Sequence, residues 1–504
     1  MSDPVPPTDE ALEERPLLLT LLMLGFALAL FGTYWDDAWH TEKGRDSFLV
    51  PPHVALYVGI TLAGGALAVW ALLNIRSRGV RRTLRSPSLL LALLGVGTTL
   101  GAAPIDNAWH LAFARDAVIW SPPHMLGVAG TLAIAAAMLL ELSAARTPGG
   151  RFAALAAGAG VVAAGSIPVL EYETDVPQFD LALYLPILSL GSALALGLVR
   201  RALRVSFSAS LVAAAHLVAM SVIAATLVAL SMPPPLLPAL VLPALAVDWA
   251  ARRRLSTASA GALFAAVLFA AYVPYLDLLK NDVFLGPREV LLGLPLAFLA
   301  AWGSLSATGW NGGGGLGLPR RWAAATPVLA LALLVGLGLA PRALAHDPGQ
   351  GEGVATAALT ASSSGERATL VADLSGSQHC RDTQPLRLLA RRAGDAVSSR
   401  LSARGRCSFS GTIRLPDRGR WFLYAELDHG GETVETWLPI HSGQPERVSA
   451  DRSVYIPPAA EPSSLKWIAG AAAYLIVAVL LLATCRLYRA SIWRRSALEP
   501  HHRN

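Results

Sequence analysis

The sequence predicts an all-α polytopic membrane bundle of about twelve transmembrane helices, interrupted near its end by an inserted extracytoplasmic β-sandwich. Three observations carry this reading. Hydrophobic residues make up 54% of the 504 residues and charged ones only 15%, a balance in which many side chains must face lipid rather than water. Apolar runs of span length recur along the chain, and basic residues concentrate on alternate loops between them.

The runs lie near 17–35, 54–74, 88–105, 123–143, 152–170, 180–199, 209–231, 236–250, 260–277, 288–306, 322–343 and 466–486. Most suffice to cross a hydrocarbon core of about 30 Å as helices. The 236–250 run is short and carries Pro238 and Pro243, so it is the weakest of the twelve, and its loss would invert everything downstream. Residues 1–16 are acidic and contain proline, without the basic n-region of a cleaved signal, and are expected to be a cytoplasmic tail before an uncleaved first span. The expected layout is two helical hairpins over 17–145, further helices over 146–345, the outer domain over 346–462, a last span over 463–486 and a basic tail over 487–504.

Loops after the even-numbered spans carry Arg76, Arg78, Arg81, Arg82 and Arg85, then Arg146 and Arg151, Arg200, Arg201 and Arg204, Arg252 to Arg254, and Arg320 and Arg321. The other loops carry Lys43, Arg45, Arg115, Lys280 and Arg288. This asymmetry puts both termini in the cytoplasm of a multi-pass plasma-membrane protein. It also accounts for the net charge of +6 without invoking nucleic acid, leaving membrane lipid as the expected partner.

Between spans eleven and twelve the pattern changes. Ala368–Leu374, Phe409–Leu415, Trp421–Leu427 and Thr433–Ile440 are short apolar runs separated by Gly, Ser, Pro and Asp, the signature of a small β-sandwich. Its two cysteines, Cys380 and Cys407, are expected to form a disulfide in an oxidising compartment. Cys485, in the last span, reads as apolar filler.

The chemistry sits in a constellation that occurs twice. Asp36-Asp37-Ala38-Trp39-His40 leads through Arg45-Asp46 to Pro51-Pro52-His53. Asp106-Asn107-Ala108-Trp109-His110 leads through Arg115-Asp116 to Pro122-Pro123-His124. Asp36 and His40, like Asp106 and His110, are four apart and share a helix face. Each Pro-Pro-His puts a histidine in the first turn of the next helix, so the hairpin returns a third donor toward the first two. Two imidazoles and a carboxylate suit Fe(II), Zn(II) or Cu(II) and do not choose among them. The same residue types also serve as interfacial anchors, and it is the repetition that favours a metal. Arg45, Asp46, Arg115 and Asp116 would either orient the imidazoles or close the loop as ion pairs.

Asp36-x3-His40-x12-His53, with Trp39 before the first histidine and Pro51 just ahead of the last, resembles the copper-ligand motif of the copper membrane monooxygenase family, in the C-type polypeptide of the particulate methane and ammonia monooxygenases. Asp106-x3-His110-x13-His124 resembles the other metal motif of that polypeptide, including its one-residue longer spacing. The resemblance covers about residues 17–145. It implies copper at the first site, O2-dependent hydroxylation of a small apolar substrate, further subunits and an electron donor such as a quinol. The family's second motif begins with Asn; Asp106 makes that site more anionic here, and zinc is expected to be accepted there. In the outer domain, His346 follows the eleventh span much as copper-binding periplasmic domains, including that of the family's B-type polypeptide, often begin with His. His346, His379, His429 and His441 are thus a possible outer metal set, against the plainer reading of scattered surface histidines.

His216, alone in span seven, reads as a packed histidine, and Glu171, Glu173 and Asp175 as a solvated loop. Three functions stay open: a monooxygenase-type component, a copper-handling protein without turnover, and a transporter, the last disfavoured by the few ionisable groups in the middle spans.

Overall fold

A computed structural model describes residues 11–43, 49–113, 119–177, 179–203, 205–279, 283–310, 353–375, 382–392, 395–457 and 464–498. The helices are α1 (Pro16–Glu42), α2 (Pro51–Arg78), α3 (Val80–Thr83), α4 (Pro87–Phe113), α5 (Pro122–Leu142), α6 (Pro148–Ser166), α7 (Leu170–Glu173), α8 (Tyr184–Ala202), α9 (Ser208–Ala229), α10 (Val241–Arg252), α11 (Thr257–Leu279), α12 (Pro287–Thr308) and, after the β domain, α13 (Ser464–Leu498). Among the described residues, ten helices are long and apolar enough to cross a membrane. The expected span at 322–343 lies outside the described residues.

The first four spans form two hairpins zipped by glycine. Gly25 of α1 lies so close to α2 that an added Cβ would stand 2.7 Å from the carbonyl oxygen of Gly59, and Gly95 of α4 would meet that of Gly130 of α5 at 2.8 Å. Gly25 and Gly95 both stand eleven residues before the motif aspartate, and Gly59 and Gly130 both six after its last histidine. The duplication therefore extends from the loops into the helix packing, where small residues let backbones approach within a bilayer.

The eighth expected span is not a continuous helix. After α9 the chain is non-helical through Met232–Ala239, because Pro233, Pro234, Pro235 and Pro238 supply no N–H, and only Val241–Arg252 is helical. Its polar backbone is satisfied by protein: Leu236 N–H donates to the Glu173 carbonyl at 2.8 Å, Ala239 N–H to the Tyr272 hydroxyl at 3.2 Å, and the Tyr275 hydroxyl to the Leu237 carbonyl at 2.9 Å. The segment still returns the chain to the end where α9 began. Buried Asp248 accepts from Ser210 N–H at 2.9 Å and from the Ser210 hydroxyl at 2.7 Å. The broken element thus brings Asp248 back to the start of α9.

The β domain comprises β1 (Gly353–Ser364), β2 (Arg367–Leu374), β3 (Thr383–Arg392), β4 (Asp395–Ser399), β5 (Ser402–Ala403), β6 (Ser408–Arg414), β7 (Gly419–His429), β8 (Glu432–Ser442) and β9 (Glu446–Tyr455). All pairings are antiparallel, in one curled nine-stranded sheet of order β4-β3-β7-β8-β9-β1-β2-β6-β5, rather than the two separately bonded sheets of a sandwich. The reason lies at β8–β9, where Glu435 pairs with Tyr455 and keeps the two halves continuous while they fold over a shared core of Leu359, Leu370, Leu388, Phe409 and Trp421.

Strand β7 is buried on both faces. Trp421, Leu423, Ala425 and Leu427 enter the sheet core, whereas Phe422 and Tyr424 join Trp437, Leu389 and Tyr455 around Val176 of the helical domain. The β domain is therefore seated on the helical bundle, at the end where α1 finishes and α2 begins. Arg420 Nη1 donates to Glu42 Oε1 at 2.6 Å, and Arg392 pairs with Asp175 at 3.3 Å. Glu13, before α1, accepts from the backbone of Arg146 and Thr147 at the opposite end. Cys485 is free and buried, and Cys380 lies outside the described residues.

Candidate metal centre

Helix α1 continues to Glu42 and carries Asp36 and His40 on adjacent turns of one face. Pro51 and Pro52 open α2, with Val50 as an extended N-cap, so His53 falls in the first turn, as the Pro-Pro-His reading expects. Asp36 Oδ1 lies 2.9 Å from His53 Nε2 and 3.7 Å from His40 Nε2. The imidazoles meet edge to face at 6.0 Å between centroids. One donor atom from each of the three side chains falls within 4.8 Å of the others. His40 and His53 are only 4% and 5% exposed. Donors about 2.0–2.2 Å from an ion stand roughly 3–4 Å from one another, so the triad needs little adjustment to close on a divalent ion.

The second constellation is partly described. Asp106 and His124 are 3.3 Å apart, and Ser121 caps α5 through the His124 N–H at 3.4 Å. His110 lies on the last turns of α4, its side chain outside the described residues, as are Arg45, Asp46, Arg115 and Asp116 altogether. The two motifs do not open onto separate sites. Asp36, Asp37, His40 and His53 share one cavity with Asp106 and His124. Leu56, Ile60, Ala102, Ala103, Gly127 and Val128 also line it, so the cavity combines polar donors with apolar surface.

Acidic residues at and behind this cavity were not expected from the sequence. Glu171 and Glu173, expected in a solvated loop, are 2% and 5% exposed. A 3-10 turn at Ile167–Val169 extends α6 into α7 and folds them inward. Glu171 Oε1 accepts from Ile119 N–H at 2.9 Å, holding the cavity-lining Ile119 in place. Asp37, adjacent to the candidate ligand Asp36, also faces the cavity. An acidic residue at the end of an apolar run, where a charge is costly unless partnered, was the available signal for both.

The two described outer histidines, His429 and His441, do not come together. His429 bonds Thr383 Oγ1 through Nδ1 at 2.8 Å, and His441 contacts Glu446 through Nδ1 at 3.2 Å. They occupy opposite ends of the β7–β8 ladder, where His441 faces Arg420 and His429 faces Glu432. Several residues of strand at about 3.3 Å each keep them from sharing an ion. His346 and His379 lie outside the described residues. His216 is buried in α9, away from the cavity, and neither ring nitrogen has a hydrogen-bond partner among the described residues.

No family model, curated protein or solved structure matches this chain.

Proposed function

We propose that the chain is an integral membrane metal-binding protein whose centre is Asp36, His40 and His53. The observation that carries this is the convergence of one carboxylate and two imidazole nitrogens, from two helices, within 4.8 Å. The donor set suits copper, which the motif resemblance favours, and Asp106 with His124 across the cavity suits zinc or Cu(II). Copper, when bound, supplies O2 activation. The chain's own part is to orient the imidazoles from two helices and to offer an apolar wall of Leu56, Ile60, Ala102 and Val128 to a small apolar substrate. On this reading the protein is a monooxygenase-type component, working with further subunits and an electron donor at the outer face of the plasma membrane.

On this reading the β domain is extracytoplasmic, both termini are cytoplasmic, and an oxidising compartment would let Cys407 pair with Cys380. Copper capture without turnover is the second reading, favoured by the near-complete burial of His40 and His53. Copper-loaded protein in lipid, supplied with a quinol and short hydrocarbons or ammonia, tests the two. Substrate-dependent O2 consumption that is lost in His53→Ala supports the enzyme, and copper bound through His53 with no O2 consumption supports capture.

A further inference from the structure

The β domain does more than rest on the bundle; its arginines grip the two segments that frame the cavity. Helix α1 ends at Glu42, two residues past His40, and its last carbonyls have no partner within the helix. Arg452 donates to the carbonyl oxygens of Glu42 and, at 3.3 Å, Lys43, while its guanidinium lies 5.3 Å from the centre of the Trp437 ring. Arg420 binds the Glu42 carboxylate at 2.6 Å. Its backbone N–H also donates to Asp175 Oδ2 at 2.9 Å, and Arg392 holds the other Asp175 oxygen at 3.3 Å. Asp175 follows the turn that carries Glu171 and, through it, Ile119. Arg392, Arg420 and Asp175 are largely buried, whereas the Glu42 carboxylate is 31% exposed, so only the Asp175 pairing is well shielded from solvent.

Helix ends fray unless capped, and a metal site loses affinity steeply when one donor moves by a fraction of an ångström. We propose that Arg420 and Arg452 are positioning residues for the metal centre: by capping the C-terminus of α1 from the β domain they fix His40 against Asp36 and His53. The inference rests on the metal reading given above. By linkage, an ion on the triad then strengthens β-domain docking by the same factor by which docking strengthens ion binding.

The test is Co(II) titration of the full-length protein in detergent, followed by visible ligand-field absorption and by thermal melting. The variants are His40→Ala, Arg452→Ala, Arg420→Ala/Arg452→Ala and, as a control, Arg414→Ala, whose exposed partner Glu366 lies elsewhere on the β domain. The wild type should bind Co(II) with absorption that His40→Ala removes. The double variant should bind about 10-fold more weakly or worse, with altered bands, while Arg414→Ala matches the wild type. Should the double variant not fold, Arg452→Ala alone decides, with a weakening of several-fold expected. Arginine variants that melt earlier yet keep wild-type Co(II) affinity and spectrum would show a structural clamp only and overturn the proposal. A wild type that binds no Co(II) through His40 would instead remove the metal reading and this inference with it.

Discussion

Asp36 holds the candidate centre together at the scale of single residues, since its Oδ1 faces His53 Nε2 at 2.9 Å and His40 Nε2 at 3.7 Å. Replacing it with Asn keeps the shape but removes the charge that offsets a divalent cation, and Asp36→Asn should weaken Zn(II) or Cu(II) binding by about 10-fold or more, measured by competition with a chromogenic chelator. In the β domain, the hydrogen bond from His441 holds the Glu446 carboxyl below its ordinary range, against the opposing cost of burial. Because the folded pKa is depressed, the stabilisation is fully present above the ordinary glutamate value of about 4.3 and is lost as pH falls through the lower folded value. Acid unfolding followed by tryptophan fluorescence should therefore show a shallower pH dependence below about pH 4.3 in Glu446→Gln than in the wild type. The four-residue step from Asp36 to His40 was legible in the sequence because helix periodicity alone fixes it. Arg420 and Glu171 were not, since their partners lie far along the chain and only the tertiary fold brings them together.

The duplicated hairpins are the informative elements. Gly130 is packed so tightly that a Cβ would stand 2.9 Å from the backbone nitrogen of Thr99, so Gly130→Leu should lower stability by about 1–3 kcal/mol or prevent folding, as read by thermal melting. Gly127, three residues after His124, offers the contrast: a Cβ there meets only Ala102 at 3.8 Å, and the equivalent position in the first hairpin is Leu56. Gly127→Leu should leave the fold intact and fill the apolar half of the cavity. Short hydrocarbon probes that bind the wild type should then be excluded while Zn(II) affinity changes less than about 3-fold, because the donors are untouched. Span positions were readable from apolar run length, which is a local property. The broken eighth element was readable only as a weakness, because whether proline at membrane depth ends a span depends on Tyr272, Tyr275 and Glu173 satisfying its backbone.

For the whole molecule, both motifs and the β domain gather at one end of the bundle, and Glu13 with the Arg146–Thr147 turn marks the other. Single cysteines in place of Arg78 or Arg447, each in a Cys485→Ala background, should react with a membrane-impermeant maleimide in intact cells only at 447 if the orientation is right. Labelling at 78 alone would invert it. The β architecture was expected from strand-length runs. Its continuity as one curled sheet was not, because a single Glu435–Tyr455 pairing decides it. The metal centre is tested most simply by the metal content of purified protein after copper loading and removal of weakly held ions. Wild-type protein should hold copper that falls by about one equivalent per chain in His40→Ala/His53→Ala. Equal copper in the wild type and the folded double variant, or none in either, would contradict the metal reading.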